Sequence, residues 1–288
     1  MTTDLLTATE TAISVRGLTK TYEEVRAVDD VDLEIHRGEV FALLGPNGAG
    51  KTTTVEILEG YRRRDAGAVS VLGADPEEAG AAWRARIGIV LQTAPSAEEL
   101  TVTELLRHFA TFYPRPRSVD EVIAAVGLQE KRRTRVRHLS GGQRRRLDVA
   151  LGILGRPELL FLDEPTTGFD PEARREFWEL IRALSGEGTT ILLTTHYLDE
   201  AEQLADRVGV IARGRLVALD TPAALGGRDS SASVVRWRED GVPHEVSTTT
   251  PTRVVGEAAE RFGGEVPDLT VTRETLEDTY LRLIGEQR

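Results

Sequence analysis

The sequence VFALL at residues 40–44, followed by GPNGAGKT at 45–52 and TTVEILE at 53–59, decides the fold. The first five residues are all apolar, which is typical of a strand that is buried on both faces. The glycine-rich segment that follows is a loop, and a helix is predicted after it over residues 52–59. A buried strand, a glycine loop and a helix in this order indicate an α/β unit.

The loop GPNGAGKT satisfies the pattern of phosphate-binding loops, including the final lysine and hydroxyl residue. Its glycines allow successive backbone N–H groups to turn inward around a phosphate chain, where a Cβ atom would obstruct them. The N-terminus of the following helix adds partial positive charge. We therefore expect Lys51 to reach the β- and γ-phosphates of a nucleotide and the Thr52 hydroxyl to ligate Mg²⁺. The loop alone does not reveal what the nucleotide is used for.

Further strands extend this unit into an α/β core. Residues 159–162 and 191–193 are short apolar runs, and residues 172–184 between them have a helical pattern. Strand, helix and strand in this order imply parallel crossover connections. Residues 13–35 alternate between apolar and polar, which predicts antiparallel strands with one buried face, and residues 208–218 are typical of a closing hairpin. The predicted fold class is α/β: a P-loop NTPase core with an N-terminal antiparallel β subdomain.

Two segments depart from this core pattern. Residues 93–147 contain helical patterns broken by Pro114 and Pro116, so we expect a helical insertion. After Pro222 the chain becomes rich in glycine and serine, which predicts a linker over residues 226–231. A hairpin, a helix, a short strand and a last helix beyond the linker predict a small C-terminal α+β appendage. The predicted division is an N-terminal tail at residues 1–12, a nucleotide-binding domain at 13–220 and an accessory domain at 221–288.

Two adjacent carboxylates, Asp163 and Glu164, follow the apolar run at residues 159–162. Burying an unpaired carboxylate is expensive, so packing alone does not account for two of them at the end of a buried strand. Beside a phosphate-binding loop, Asp163 would hold the Mg²⁺ shell and Glu164 would orient and polarise water. The alternative is an acid that caps a helix, next to a neighbour that is solvated.

Composition narrows the class of protein. The chain has 288 residues, of which 40% are hydrophobic and 29% charged, the balance of an ordinary soluble globular protein. It contains no run of about 18 apolar residues, and its polar, acidic N-terminus is neither a signal peptide nor a transit peptide, so we expect a cytoplasmic protein. The absence of cysteine excludes disulfides and thiolate chemistry, and the net charge of −11 argues against nucleic acid as a partner.

The sequence LSGGQ at residues 139–143 is the signature sequence of ABC ATPases. Together with the phosphate-binding loop and the paired carboxylates, it makes the chain resemble that family over about residues 13–220. The resemblance implies ATP and Mg²⁺ as cofactors and ATP hydrolysis as the reaction. It also implies that a helix N-terminus presents four residues to the γ-phosphate bound by the opposite protomer: Ser140, Gly141, Gly142 and Gln143. Taken alone, the same stretch could be a serine that caps a helix, followed by two flexible glycines.

The resemblance gives roles to further residues. Tyr22 resembles the aromatic residue that stacks on adenine, and Gln92 resembles the glutamine that touches Mg²⁺ and the attacking water. His196 resembles the switch histidine that bonds the γ-phosphate, and Asp170 resembles the aspartate that communicates across the dimer. Without the resemblance, Tyr22 would be a half-buried strand residue, Gln92 a surface residue and His196 a structural one. Phe169 departs from the family, in which leucine is commoner, and we expect this to be a change in packing.

The implied site residues fall into three groups. The nucleotide-binding group is Tyr22, Gly45, Pro46, Asn47, Gly48, Ala49, Gly50, Lys51, Thr52 and Thr53. The catalytic group is Glu164, His196 and Gln92. The metal ligands are Thr52, Gln92 and Asp163.

Two basic runs, at residues 131–137 and 144–146, are open to two interpretations. They could be nucleic-acid patches, or they could be solvated faces of helices. We favour solvated faces because the net charge is strongly negative.

The family also implies partners. It predicts a separate transmembrane permease, a head-to-tail dimer of ATPase subunits that is a homodimer, and a peripheral location at the cytoplasmic face of the membrane. Residues 161–168 and 276–283 resemble daunorubicin-resistance-type ATPases, so we expect export of a drug-like, lipid or polysaccharide substrate. The alternative is a soluble ABC-type regulatory ATPase that acts on a protein partner. A metabolic P-loop kinase fits poorly because of the signature sequence.

Overall fold

The computed structural model of the protein describes residues 10–90, 98–230 and 232–286. The strands in these ranges are β1 (Thr11–Tyr22), β2 (Val25–His36), β3 (Val40–Leu44), β4 (Ala66–Val71), β5 (Ile87–Val90), β6 (Leu159–Asp163), β7 (Thr190–Thr195), β8 (Arg207–Ala212), β9 (Arg215–Asp220), β10 (Ser233–Glu239), β11 (Val242–Thr248) and β12 (Thr270–Thr272). The α-helices are α1 (Lys51–Leu58), α2 (Ala81–Arg84), α3 (Val102–Ala110), α4 (Val119–Ala125), α5 (Gly141–Ile153), α6 (Pro171–Gly186), α7 (Leu198–Leu204), α8 (Pro251–Phe262) and α9 (Leu276–Gly285). Within the described ranges, no helix combines the length and the apolar character needed to cross a membrane.

The strands form three sheets. The central sheet has six strands in the order β5-β6-β7-β3-β8-β9, and its neighbours are parallel except for β8 and β9. The N-terminal sheet is antiparallel, with β1 between β2 and β4. A third antiparallel sheet near the C-terminus has the order β11-β10-β12. The parallel core and the antiparallel N-terminal sheet confirm the predicted fold class.

The central strand β3 is buried along its whole length because other layers cover both faces of its sheet. Successive side chains of a strand point to opposite faces. Val40, Ala42 and Leu44 belong to a core shared with helices of the insertion and with α6 and α7. Phe41 and Leu43 belong to a second core, formed with α1 and the N-terminal antiparallel sheet. Since parallel strands all end at one edge, the loops that follow β3, β6 and β7 converge there.

The described part of the helical insertion contains α3, α4 and the start of α5, as predicted. The helix α3 begins with a reciprocal cap. The Thr101 hydroxyl accepts the Glu104 N–H at 3.3 Å, and the Glu104 carboxylate accepts the Thr101 N–H at 2.8 Å. Pro114 and Pro116 lie between α3 and α4, where no helical hydrogen bond is needed from them. The insertion therefore packs as two short helices rather than one long helix.

The stretch predicted as a linker is compact, which corrects that prediction. Residues 225–230 form 3-10 turns, and Leu225 is fully buried in the larger core. Leu276, at the start of α9, is buried in the same core. A Cβ atom at Gly226 would lie 2.8 Å from the Cγ2 atom of Thr279 on α9. The composition is that of a linker, but the apolar residue within it and the close approach of α9 hold the segment against the core.

The remainder of the C-terminal segment is the third sheet with α8, as the hairpin and helix patterns predict. The strand β11 lies at an edge of this sheet, where Pro243 can be accommodated without a backbone N–H. The division of the chain at residue 220 stays a prediction. The melting temperature of a chain that ends at Asp220, compared with that of the full chain, would test it.

Candidate functional site

The phosphate-binding loop connects β3 to α1 and depends on two glycines. Gly50 is the N-cap of α1 and has a φ of 105°, in the left-handed region that favours glycine. A Cβ atom at Gly50 would lie 2.2 Å from the carbonyl oxygen of Ala27, and one at Gly45 would lie 2.3 Å from the carbonyl oxygen of Ile211. Both contacts are with backbone, which cannot swing aside. The loop can therefore pass between β2 and β8 only with glycine at these positions.

A cleft of about 470 Å³ opens beside this loop. It is lined by Tyr22, Ala27, Asn47, Gly48, Ala49, Gly50, Lys51, Thr52, Thr53, Asp163 and Glu164. Most of the predicted nucleotide group and both carboxylates therefore lie together. Ala27 also lines the cleft, which the sequence does not predict. It does so because β2 packs against the loop at Gly50.

Lys51 is held by the loop to which it belongs. Its Nζ atom donates to the carbonyl oxygens of Gly45 at 2.6 Å and Pro46 at 3.2 Å. These contacts account for Gly45 and Pro46, which do not line the cleft themselves. Burial lowers the pKa of Lys51, and the negative charges of Glu164 and Asp163 oppose this shift. A cation on a buried stem beside two carboxylates is suited to anionic phosphate oxygens.

The two carboxylates follow β6 in different surroundings. The Thr194 hydroxyl on the neighbouring strand donates to Asp163 Oδ1. Glu164 has a φ of 43°, and its backbone N–H donates to the Thr194 carbonyl oxygen at 3.0 Å. A left-handed conformation costs a residue other than glycine roughly 1–2 kcal/mol, and such strain gathers at functional sites. Here the pairing with β7 holds the turn that directs Glu164 away from the strand.

His196 lies next to Glu164, although the two residues are far apart in the sequence. It follows Thr195, the last residue of β7, and its Nδ1 atom is 3.3 Å from Glu164 Oε1. The His196 ring also packs on the ring of Tyr197, with centroids 4.1 Å apart. The parallel pairing of β6 and β7 thus brings together the predicted water-polarising carboxylate and the predicted switch histidine. A carboxylate that contacts an imidazole is a suitable arrangement for orienting and deprotonating water.

Tyr22 lines the cleft, but its ring has other neighbours as well. The Arg62 guanidinium lies 5.3 Å and the Lys20 ammonium 5.5 Å from the ring centroid. Its hydroxyl is buried without a hydrogen-bond partner among the described residues. This position is compatible with stacking on adenine, which stays a prediction.

Two of the three predicted metal ligands, Thr52 and Asp163, belong to the described part of the chain. Thr52 and Asp163 line the same cleft, and their hydroxyl and carboxylate oxygens are the type of ligand that Mg²⁺ takes together with phosphate oxygens. Gln92 lies outside the described residues. The two described ligands fit Mg²⁺ beside a bound phosphate chain, where the ion would neutralise phosphate charge.

The signature sequence lines a second cavity, of about 730 Å³. Ser140 is the N-cap of α5, and its hydroxyl accepts the Gln143 N–H at 3.3 Å, while Gln143 Oε1 accepts the Ser140 N–H at 3.1 Å. The cap therefore exists, as the alternative interpretation holds. It leaves the serine proton available, because a hydroxyl that accepts one hydrogen bond can still donate another. Gly141 and Gly142 line the same cavity.

Asp170 lines the same cavity. It is the N-cap of α6, and its Oδ1 atom accepts the Ala173 N–H at 2.8 Å. Phe169, beside it, packs edge-on against Phe177 with centroids 5.8 Å apart and also lines the cavity, so the interpretation of its departure from leucine as a change in packing stays a prediction. Among the described residues, no side chain lines both this cavity and the cleft at the phosphate-binding loop. The predicted site residues therefore form two separate groups on one chain.

The position of Arg145 contradicts part of the prediction that the basic runs are solvated faces of helices. Arg145 is 8% exposed rather than solvated. Its guanidinium donates to the Pro165 carbonyl oxygen at 3.1 Å and to the Asp163 carbonyl oxygen at 2.5 Å. The signature helix is thereby tied to the loop that carries Glu164. Other residues of the two runs do form ion pairs at the surface, such as Arg132 with Asp120 at 2.7 Å.

Together these features define a class of protein. A largely parallel sheet carries a phosphate-binding loop with a buried lysine after β3 and two carboxylates at the end of β6, and a helical insertion presents a second glycine loop. This is the arrangement of a nucleoside triphosphatase with a helical signature subdomain.

Known proteins share this arrangement. The sequence family described as ABC transporter matches residues 28–167. The daunorubicin resistance ATP-binding protein DrrA3 of Streptomyces coeruleorubidus is 40% identical over 97% of this chain and 98% of its own length. A Nod factor export ATP-binding protein I of Neorhizobium galegae is 36% identical over 96% of this chain and 86% of its own length. The chain belongs to the ATP-binding subunits of ABC transporters and is an ATPase.

Solved structures agree with this assignment. A structure of an ATP-binding subunit of an ABC transporter has a TM-score of 0.70 and 25% identity, and the alignment covers 94% of this chain and 99% of the other. A dimeric ATP-binding cassette bound to ADP and Pi has a TM-score of 0.66 and 24% identity, over 73% of this chain and 98% of the other. The likeness to the dimeric cassette concerns the fold.

Proposed function

We propose that two copies of this chain form a head-to-tail dimer that hydrolyses Mg²⁺-bound ATP and drives export through a separate membrane permease. ATP would lie between the phosphate-binding loop of one copy and the signature loop of the other. The observation that carries this proposal is the separation of the cleft and the signature cavity, among the described residues, on a single chain. A site that contains both groups needs a second chain.

The cleft would supply the hydrolytic groups of each site. Lys51 and the N–H groups at the start of α1 would bind the phosphate chain, and Thr52 and Asp163 would hold Mg²⁺. Glu164, held beside His196 at 3.3 Å, would orient and polarise the attacking water. The charge that develops on the γ-phosphate needs donors on its other side. Ser140 of the other copy would provide them, together with the N-terminus of α5.

The proposal that the transporter is an exporter rests on the names of similar proteins. DrrA3 is named for daunorubicin resistance, and the relative from Neorhizobium galegae is named for Nod factor export. We propose a drug-like, lipid or polysaccharide cargo on this basis. The permease would hold this chain at the cytoplasmic face of the membrane, and nucleic acid would not be a partner.

A mixing experiment tests the composite site. Chains with Lys51→Ala and chains with Ser140→Arg should each be inactive alone. A mixed dimer has one site damaged on both sides and one site intact, so ATPase activity should return on mixing. The matched control mixes Lys51→Ala chains with chains that carry both substitutions. Every dimer in that control lacks an intact site, so no activity should return.

Dilution provides a second test that does not depend on the mutants. The ATPase rate per chain should fall as the protein is diluted below the concentration at which dimers form. A rate per chain that stays constant where light scattering detects only monomer would contradict the composite site.

Purification from membranes separates the transport function from the alternative. Tagged full-length chain should carry a polytopic membrane protein with it from detergent extracts in the presence of ATP. Reproducible capture of one soluble protein instead, with no membrane protein, would favour the regulatory ATPase. The Ser140→Arg chain is the control for dimer-dependent capture.

A further inference from the structure

A fully buried carboxylate lies four residues after His196 in the sequence. Glu200, on α7, is 0% exposed. A buried carboxylate is expensive unless donors surround it, and an apolar side chain would fill the same space without that cost. Among the described residues, its two oxygens have no partner in good hydrogen-bond geometry, and the same holds for the Thr166 hydroxyl and the Trp178 indole N–H.

These groups nevertheless face each other. Donor groups of Thr195, Thr166 and Trp178 favour the charged form of Glu200, as the nearby Arg174 cation does, although no hydrogen bond joins them to the carboxylate. Burial is the stronger influence and raises the pKa of Glu200. The Thr195 hydroxyl already accepts the Tyr197 N–H at 3.0 Å, so its own proton is available for a carboxylate.

The three donors come from the segments that carry the functional residues. Thr166 lies two residues after Glu164, and Thr195 immediately precedes His196. Trp178 lies on α6, the helix that Asp170 caps. One carboxylate on α7 thus faces three donors, one from each of three segments that are separate in the sequence.

We infer that Glu200 is a positioning residue that holds the loop after β6 and the end of β7 in the relation that places Glu164 beside His196. This inference rests on the proposed roles of those two residues. Glu200 does not line the cleft, so it acts through the loops and touches no nucleotide. A displacement of about 1 Å between reacting groups can cost roughly a hundredfold in rate, so a modest shift of either loop is sufficient for an effect.

Glu200→Gln is the sharpest test, because glutamine keeps the shape of the side chain but places an amide NH₂ against a donor. We expect kcat of the full chain to fall about tenfold while the KM for ATP changes less than about twofold. The matched control is Glu39→Gln. Glu39 is 7% exposed and binds Arg207 at 3.2 Å, at the opposite edge of the central sheet. The Glu39→Gln variant should have a lower melting temperature than the natural chain but an unchanged kcat.

A double variant separates positioning from general damage. If Glu200 acts through Glu164, then Glu200→Gln in a Glu164→Gln background should cause no further fall in the residual rate. Thr166→Val removes one donor by itself and should lower kcat in the same direction, which keeps the test valid if Glu200→Gln folds poorly. Normal kcat in folded Glu200→Gln and Thr166→Val, or equal losses in Glu39→Gln, would overturn the inference. Loss of activity in Glu164→Gln alone tests the proposed function independently of this result.

Discussion

The phosphate-binding loop and the signature loop are alike in form and differ in how their helix N-termini are used. Each is a glycine-rich loop that leads into a helix. The helix α1 is capped by Gly50, which has no side chain to accept its first N–H groups. The helix α5 is capped by Ser140, whose hydroxyl accepts the Gln143 N–H. The first helix therefore relies on an external acceptor, and the second brings its own.

Their surroundings differ in the same direction. The cleft holds a buried lysine and two carboxylates, whereas the signature cavity is lined by side chains that cap the helices at its rim, such as those of Asp170 and Gln143. The first region carries the groups that we predict to act in the reaction, and the second carries side chains that cap its own helices. This difference suggests that the signature loop completes a site built elsewhere, which is what a second copy of the chain would provide.

The largest expected effect is on the ATPase rate, and two variants in the cleft should distinguish ATP binding from ATP hydrolysis. Glu164→Gln keeps the shape and hydrogen bonding of the side chain but loses the charge that polarises water. It should retain ATP binding while losing roughly 10²–10⁴ in rate, the range of a positioned general base. Lys51→Ala removes phosphate contacts, so both affinity and turnover should fall. ATP titrations and steady-state rates check both, and near-normal turnover in Glu164→Gln would remove the residue from its role.

The next effect concerns the connection between the two regions. Arg145→Gln removes a charged donor from the carbonyl oxygens of Asp163 and Pro165. We expect a loss of about 1.5–3 kcal/mol in the free energy of unfolding, because hydrogen bonds to charged groups have that magnitude. Urea denaturation measures it. Arg144→Gln is the control, since the Arg144 side chain is 41% exposed, and its loss should be under about 0.5 kcal/mol. Equal losses of unfolding free energy in the two variants would mean that the buried hydrogen bonds of Arg145 do not stabilise the fold more than an exposed arginine does.

A pH-dependent effect is expected at the far end of α1. The pKa of Glu59 is raised to about 8 by burial first and then by the negative charges of Asp163 and Glu56. The folded state therefore keeps a proton that the unfolded chain releases near its ordinary pKa of 4.5. Because the folded state binds more protons, stability falls as pH rises between these two values. Glu59→Gln should abolish this contribution.

Thermal unfolding at about pH 6.5 and about pH 8.5 measures the difference. Relative to Glu59→Gln, the natural chain should lose on the order of 1–2 kcal/mol between these conditions. The control is Glu121→Gln on an exposed position of α4, which should follow the natural chain at both pH values. Parallel curves for Glu59→Gln and the natural chain would contradict the assigned shift.

The smallest effect tests whether the signature cavity is independent of the cleft. Ser140→Ala removes the cap of α5 and should cost about 1 kcal/mol of stability. Thr101→Ala removes the equivalent cap of α3 and should cost a similar amount. Only Ser140→Ala should also weaken ATP-dependent dimerisation, while ATP binding to the monomer should be unchanged in both. A loss of monomer affinity in Ser140→Ala would show that the two regions are not separate.

Local patterns were sufficient for much of the fold and of the site. The phosphate-binding loop, the signature loop and the carboxylates at the end of β6 are contiguous motifs, and the strands and helices around them have clear periodicity. The buried role of Arg145 could not be predicted, because a run of three arginines gives no sign of which one faces the core. The compact segment at residues 225–230 was also missed, since glycine and serine content is the same in a linker and in a tight turn.

The sequence by itself determined which chemical groups this protein carries and whether each one lies on a loop, a strand or a helix. Glycines at the two loops, the lysine and the carboxylates are properties of short segments, so residue type and spacing are sufficient to recognise them. Only the tertiary structure decided how these groups meet. Parallel pairing of β6 and β7 brings Glu164 to 3.3 Å from His196, and packing of α7 buries Glu200 completely. Such contacts depend on which strands become neighbours, and that is set by the burial of the whole core.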